Sequence, residues 1–143
     1  MRSIAILAAL PLIVAAAPAA AADITVRMLT QGKTGMMVFE PAFVKARVGD
    51  TIHFLASPSH NAELMKEITP TGVAPQSGGM NKEFALKVTA PGLYGVKCRP
   101  HYSMGMVALV QVGAKPANLA AARAAVLPGL AAKRMSPMIA AVR

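Results

Sequence analysis

The segment Cys98-Arg99-Pro100-His101-Tyr102-Ser103-Met104-Gly105-Met106 places a thiol, an imidazole and two thioethers in one short stretch. Cys98 is the only cysteine, so it has no internal disulfide partner. A thiol three residues before a histidine, with methionines just beyond, forms a soft-metal donor group. Two imidazoles, one thiolate and one weak axial thioether are the donors of a blue-copper electron-transfer site. His60 supplies the second imidazole from far upstream, beside Asn61. His53 competes for that place, but it lies between Ile52 and Phe54 in an alternating run that turns it to solvent. It is assigned no role.

Each donor taken alone has an ordinary structural use. A lone buried cysteine behaves as a small hydrophobe, and methionine commonly fills core gaps. The Cys-x-x-His spacing and the methionine that follows shift the balance toward a shared ligand. Met106 opens the next strand and is expected to point inward, as the axial donor. Met104 is expected on the rim.

Elements that could hold these residues follow from the flanking pattern. Ile24, Val26 and Met28 alternate with Thr25, Arg27 and Leu29, a strand signature. Further strands are read at 43–48, 51–55, 84–88, 93–97 and 107–112. The last two enter and leave the cysteine loop. Pro91-Gly92 suits the centre of a type II turn. Many short strands at regular spacing predict a β-sandwich or barrel. Residues 56–81 hold three prolines and three glycines. They read as a long surface connection with one helical turn near Leu64. Two short helices are expected at 117–126 and 130–142, separated by Pro128.

The N-terminus has the form of an export signal: Arg2, the apolar run 4–17, and Ala20-Ala21-Ala22 as a cleavage site. Residues 1–22 are therefore expected to be removed. Residues 23–143 then form one domain, with its sandwich over 23–113 and its helices over 116–143. The chain carries 15 Lys+Arg against 6 acids, a formal net charge of +9; loss of Arg2 leaves +8. Few aromatics and no Lys/Arg block argue against nucleic acid. No second segment is apolar enough for membrane insertion. An acidic-faced soluble partner suits the charge. Metal ligation explains one unpaired thiol in an oxidising compartment.

The chain resembles the pseudoazurins, cupredoxins of the bacterial periplasm. The resemblance rests on Met28-Leu29, the run 35–41, Gly49-Asp50-Thr51, His60-Asn61, Pro91-Gly92 and Val96-Lys97-Cys98. It continues through Pro100-His101-Tyr102, Met104-Gly105-Met106, Val112-Gly113 and Pro116-Ala117-Asn118-Leu119. It implies an all-β fold: an eight-stranded Greek-key cupredoxin sandwich with two short C-terminal α-helices. It implies one copper ion held by His60, Cys98, His101 and Met106. Met37 would lie close to the His101 imidazole. The main-chain amides of Asn61 and of a neighbour of His101 would tune the thiolate sulfur. The activity implied is single-electron carriage, with no enzymatic step. The expected acceptors are periplasmic reductases of denitrification (nitrite or nitrous-oxide reductase) or cytochromes, met by a monomer through the His101 edge. Met37, Pro100 and Met104 would form a flat docking patch, rimmed by Lys97 and Arg99 and, further out, by Lys33 and Lys66.

Two positions depart from the family pattern. Arg99 stands where a hydroxyl residue usually bonds the asparagine of the other ligand loop. Its charge is expected to favour Cu(I) and raise the potential, unless water screens it. Ser57-Pro58-Ser59 is shorter than the family's loop and lacks its lysine. Two rival uses share the same residues: a copper store or chaperone, and a hydrolase with Cys98 as nucleophile and His101 as base. Replacing Met106 separates them, because only a copper carrier would change its potential and spectrum.

Overall fold

The structure is a computed structural model that describes residues 20–142. Residues 1–19 of the expected export signal, and Arg143, lie outside the described residues. Eight strands form two four-stranded sheets. In the first, β1 (Asp23–Gly32) pairs antiparallel with β2 (Gly35–Glu40) and parallel with β4 (Thr51–Leu55). The edge strand β6 (Phe84–Lys87) runs antiparallel to β4. In the second, β8 (Val107–Val112) lies between β3 (Phe43–Ala46), parallel to it, and β7 (Gly92–Lys97), antiparallel. The two-residue β5 (Glu63–Leu64) closes the far edge against β7. Two helices follow, α1 (Leu119–Ala124) and α2 (Gly129–Ala140). This is the eight-stranded Greek-key sandwich with two C-terminal helices that the resemblance implies.

The alternation in β1 and β4 sends Val26, Met28, Ile52 and Phe54 into the space between the sheets. Phe54 meets Phe39 edge-on, with centroids 5.4 Å apart, and stacks on Phe84 at 6.1 Å. Each such buried ring contributes roughly 1.5–3 kcal/mol by removal from water. Cys98 and Met106 belong to this inner core.

All six residues of β8 are buried. A strand covered on both faces reads as a continuous apolar run. Ala108, Val110 and Val112 face the inner core. Val107 and Leu109 face a second core with Ala122, Ala131, Met135 and Ile139 from the helices. The helices thus cover the outer face of the second sheet. Met135 is fully buried there.

The stretch expected to be a surface connection is partly core. Residues 60–65 and Ile68 are buried, and a short 3-10 turn spans Lys66–Ile68. Ala62, Leu64, Met65 and Ile68 supply apolar surface that the prolines and glycines around them conceal in a composition reading. Gly95 permits the close approach: a Cβ there would sit 2.8 Å from Ile68 Cβ and 3.0 Å from Met65 Sδ. The strand β2 also went unread from sequence. Val38 and Phe39 are both buried because the strand is covered on two sides: Phe39 enters the inner core, and Val38 lies beside Leu130, Arg134 and Pro137 of the C-terminal helix.

Candidate metal centre

The cysteine loop is closed by its own main chain. Cys98 N–H donates to Met106 O (3.0 Å), and Met106 N–H donates to His101 O (3.1 Å). His101 N–H donates to Cys98 O at 3.2 Å. Two paired strands, β7 and β8, hold the ends of this loop in register, with Lys97 opposite Val107. His60 enters from the other connection, just before β5, whose pairing to β7 brings it alongside.

Three donor atoms converge. His60 Nδ1 and His101 Nδ1 lie 3.1 Å apart. Cys98 Sγ is 3.7 Å from the first and 3.5 Å from the second. Met106 is fully buried in the core that also contains Cys98. His60 and Cys98 are fully buried, whereas His101 is half-buried and forms the outer edge. His53 is elsewhere, on β4, between Glu83 (2.7 Å) and Asp23 (3.1 Å).

The surroundings prepare these donors. Burial pushes the His60 pKa down, and the neighbouring His101 charge adds to that, so the imidazole is held neutral. Its Nε2 lies 3.0 Å from Thr30 Oγ1. With Nε2–H donating there, Nδ1 keeps its lone pair toward the thiol. Burial pushes the Cys98 thiol up, while the main-chain amides of Asn61 and His101 pull it down. A coordinated cation reverses the burial preference and leaves the thiol deprotonated. Two imidazoles and one thiolate, held in place at the edge of the core, fit copper and not a hard cation that seeks oxygen.

Arg99 departs from the sequence expectation. The link between Asn61 and the cysteine loop survives, because the Arg99 main-chain N–H donates to Asn61 Oδ1 at 2.7 Å. An amide does the work of the missing hydroxyl. The guanidinium does not stand as a free charge. Its Nε and Nη2 donate to Glu63 Oε2 at 2.9 and 2.5 Å. Glu63 is buried, and it also accepts from Ser77 Oγ at 3.1 Å and pairs with Lys97 Nζ at 3.5 Å. Burial pushes the Glu63 pKa up, but the Arg99 and Ser77 hydrogen bonds and the two cations outweigh it and hold it low. Lys97 is further pinned 4.8 Å over the Tyr102 ring.

Of the expected docking residues, Pro100 and Met104 are exposed and Met37 is half-buried. Met36 and Leu130, not anticipated, are 54% and 48% exposed. Sequence reasoning also missed Glu63, Thr30 and Arg134. Glu63 carried a signal: it is one of only six acids and follows His60 by three residues. Arg134 carried another, an arginine on a helix without an acid.

Fold and donor set together define a small copper-binding β-sandwich protein of the cupredoxin class. The family described as copper binding proteins, plastocyanin/azurin family, matches residues 26–113. Pseudoazurin of Paracoccus pantotrophus is 52% identical over 136 residues, 94% of each chain. The crystal structure of native pseudoazurin from Hyphomicrobium denitrificans is 47% identical, with TM-score 0.80 over 85% of this chain and 98% of that one. The pseudoazurin structure from Methylobacterium extorquens is 43% identical, with TM-score 0.81 over 85% and 99%. The chain belongs to the pseudoazurin family. It is a blue-copper electron carrier and not an enzyme.

Proposed function

We propose that His60, Cys98, His101 and Met106 hold one copper ion, and that the chain carries single electrons in the periplasm to reductases of denitrification. The observation that carries this is the convergence of two Nδ1 atoms and one Sγ within 4.8 Å, two of the three residues buried and one at the surface. Bound copper supplies a one-electron couple between Cu(II) and Cu(I). The residues do the rest. The rigid loop and Thr30 fix the donors, so little rearrangement accompanies a change of charge. Cys98, Met106 and the inner core exclude water. The half-buried His101 ring is the route by which an electron reaches a docked partner.

The exposed Pro100, Met104 and Met36 let an acidic-faced nitrite reductase, nitrous-oxide reductase or cytochrome approach closely, and basic charge speeds the encounter. No helix among the described residues is long and apolar enough to cross a membrane. The reading is of a monomer that docks transiently.

One equivalent of Cu(II) added to the mature protein tests the site. An intense thiolate-to-copper band that bleaches reversibly on reduction is expected, and Cys98→Ser removes it. A pale spectrum with ordinary copper EPR would overturn the assignment.

A further inference from the structure

The β1–β2 ladder is continuous from Arg27↔Glu40 to Leu29↔Val38 and resumes at Gln31↔Met36. The step between them, Thr30 opposite Met37, is unpaired in that register. One residue at this gap touches a candidate ligand, and the other packs on the core that contains two of them. Thr30 reaches His60 Nε2. Met37, at φ 52°, packs against the core cluster that contains Cys98 and Met106. A non-glycine residue in the left-handed region persists only where its surroundings hold it there.

The group that holds it comes from the C-terminal helix. Arg134 Nη1 donates to Met37 O at 2.8 Å and to Gly105 O at 3.0 Å. Its Nη2 donates to Met36 O at 3.0 Å. Arg134 has no carboxylate within ion-pair distance among the described residues. Its planar fork is spent on three carbonyls from two segments far apart in sequence.

The Gly105 carbonyl shares one peptide group with the Met106 N–H. That N–H donates to His101 O. Arg134 therefore holds one side of the Gly105–Met106 peptide, whose other side is bonded to His101 O. The contact is also sterically fitted. Gly105 has φ 86°, and a Cβ there would lie 2.8 Å from Arg134 Cδ and 3.0 Å from Leu130 Cβ. Leu130 N–H donates to Ser103 O at 2.9 Å, a second tie between α2 and the same loop.

We propose that Arg134 is a positioning residue for the copper site, fixing Met37 and the Gly105–Met106 peptide from α2 and thereby the place of Met106. This rests on the ligand assignment above. The helix then does more than cover the sheet: it sets the tightness and geometry of the metal loop from outside it.

The test compares Arg134→Met, Arg134→Lys and Ile139→Ala in the copper-loaded and copper-free protein. Ile139→Ala is the control: it weakens the same helix from its buried face without touching the carbonyls. Arg134→Met is expected to release Cu(I) to a chelator about tenfold faster and to alter the ratio of the thiolate-to-copper bands. Arg134→Lys, which keeps the charge but loses the planar fork, recovers part of both effects. In the copper-free protein, amide exchange at Met106 accelerates in Arg134→Met and not in Ile139→Ala. Equal release rates and equal spectra for Arg134→Met and Ile139→Ala would overturn the role, since Arg134 would then act only through stability. A wild-type protein lacking the thiolate band would overturn the ligand assignment and this role together. An intact wild-type band with an unchanged Arg134→Met spectrum and release rate overturns this role alone.

Discussion

At the scale of single residues, charge near the metal is set by pairs. Arg99 would raise the potential if it stood free, because a cation favours Cu(I). Glu63 takes its guanidinium, and the two charges offset. The prediction is therefore a cycle. Arg99→Thr lowers the potential, Glu63→Gln raises it, and the double variant returns close to wild type by protein-film voltammetry. A double variant that stayed as low as Arg99→Thr would mean that the Glu63 charge does not bear on the potential. Stability follows burial. Arg99 is mostly exposed, so its loss costs about 1 kcal/mol or less in urea unfolding. Glu63 serves four side chains from a buried position, and Glu63→Gln costs about 2 kcal/mol.

Elements meet at a close approach at Gly95 and at a surface staple. Gly95→Ala drives a methyl into Ile68 and Met65, which β5 and the 3-10 turn hold against β7. Thermal unfolding should show a loss of about 1–3 kcal/mol. Because this segment carries His60, copper release should quicken too. The staple is His53 on β4, between Glu83 beside β6 and Asp23 on β1. Hydrogen bonds to Glu83, then Asp23, raise its pKa above the usual 6.5. A raised folded-state pKa gives stability that is complete below the unfolded value and fades as pH rises through the folded one. The melting-temperature advantage of wild type over His53→Gln should thus be largest below about pH 6.5 and vanish on the alkaline side. An advantage that grows with pH would contradict this assignment.

For the molecule as a whole, net positive charge and a one-sided metal centre divide the labour of docking. Positive charge speeds encounter with an acidic-faced partner, and salt should slow the second-order reaction with the proposed redox partner in stopped flow. Lys97 and Arg99 contribute less to this than their positions beside Cys98 suggest, since Glu63 binds both. Lys97→Ala should lower the rate less than a change at an unpaired surface lysine such as Lys33, which would confirm that steering charge lies away from the cysteine.

The donor chemistry was legible from the chain alone. A lone thiol with His101 and Met106 on one loop is a local pattern, and local spacing survives any fold that keeps the loop tight. The chain also showed most strands, because a half-buried strand writes its burial as alternation. It did not reveal β5 or the buried run 60–65, whose apolar residues are dispersed among loop-formers and are buried only by pairing with β7. Which distant groups complete the site emerged from the folded chain. Glu63 meets Arg99 across 36 positions and Arg134 meets Met37 across 97. Such contacts leave no periodic trace, since they depend on where two sheets and a helix come to rest and not on the residues beside them in the chain.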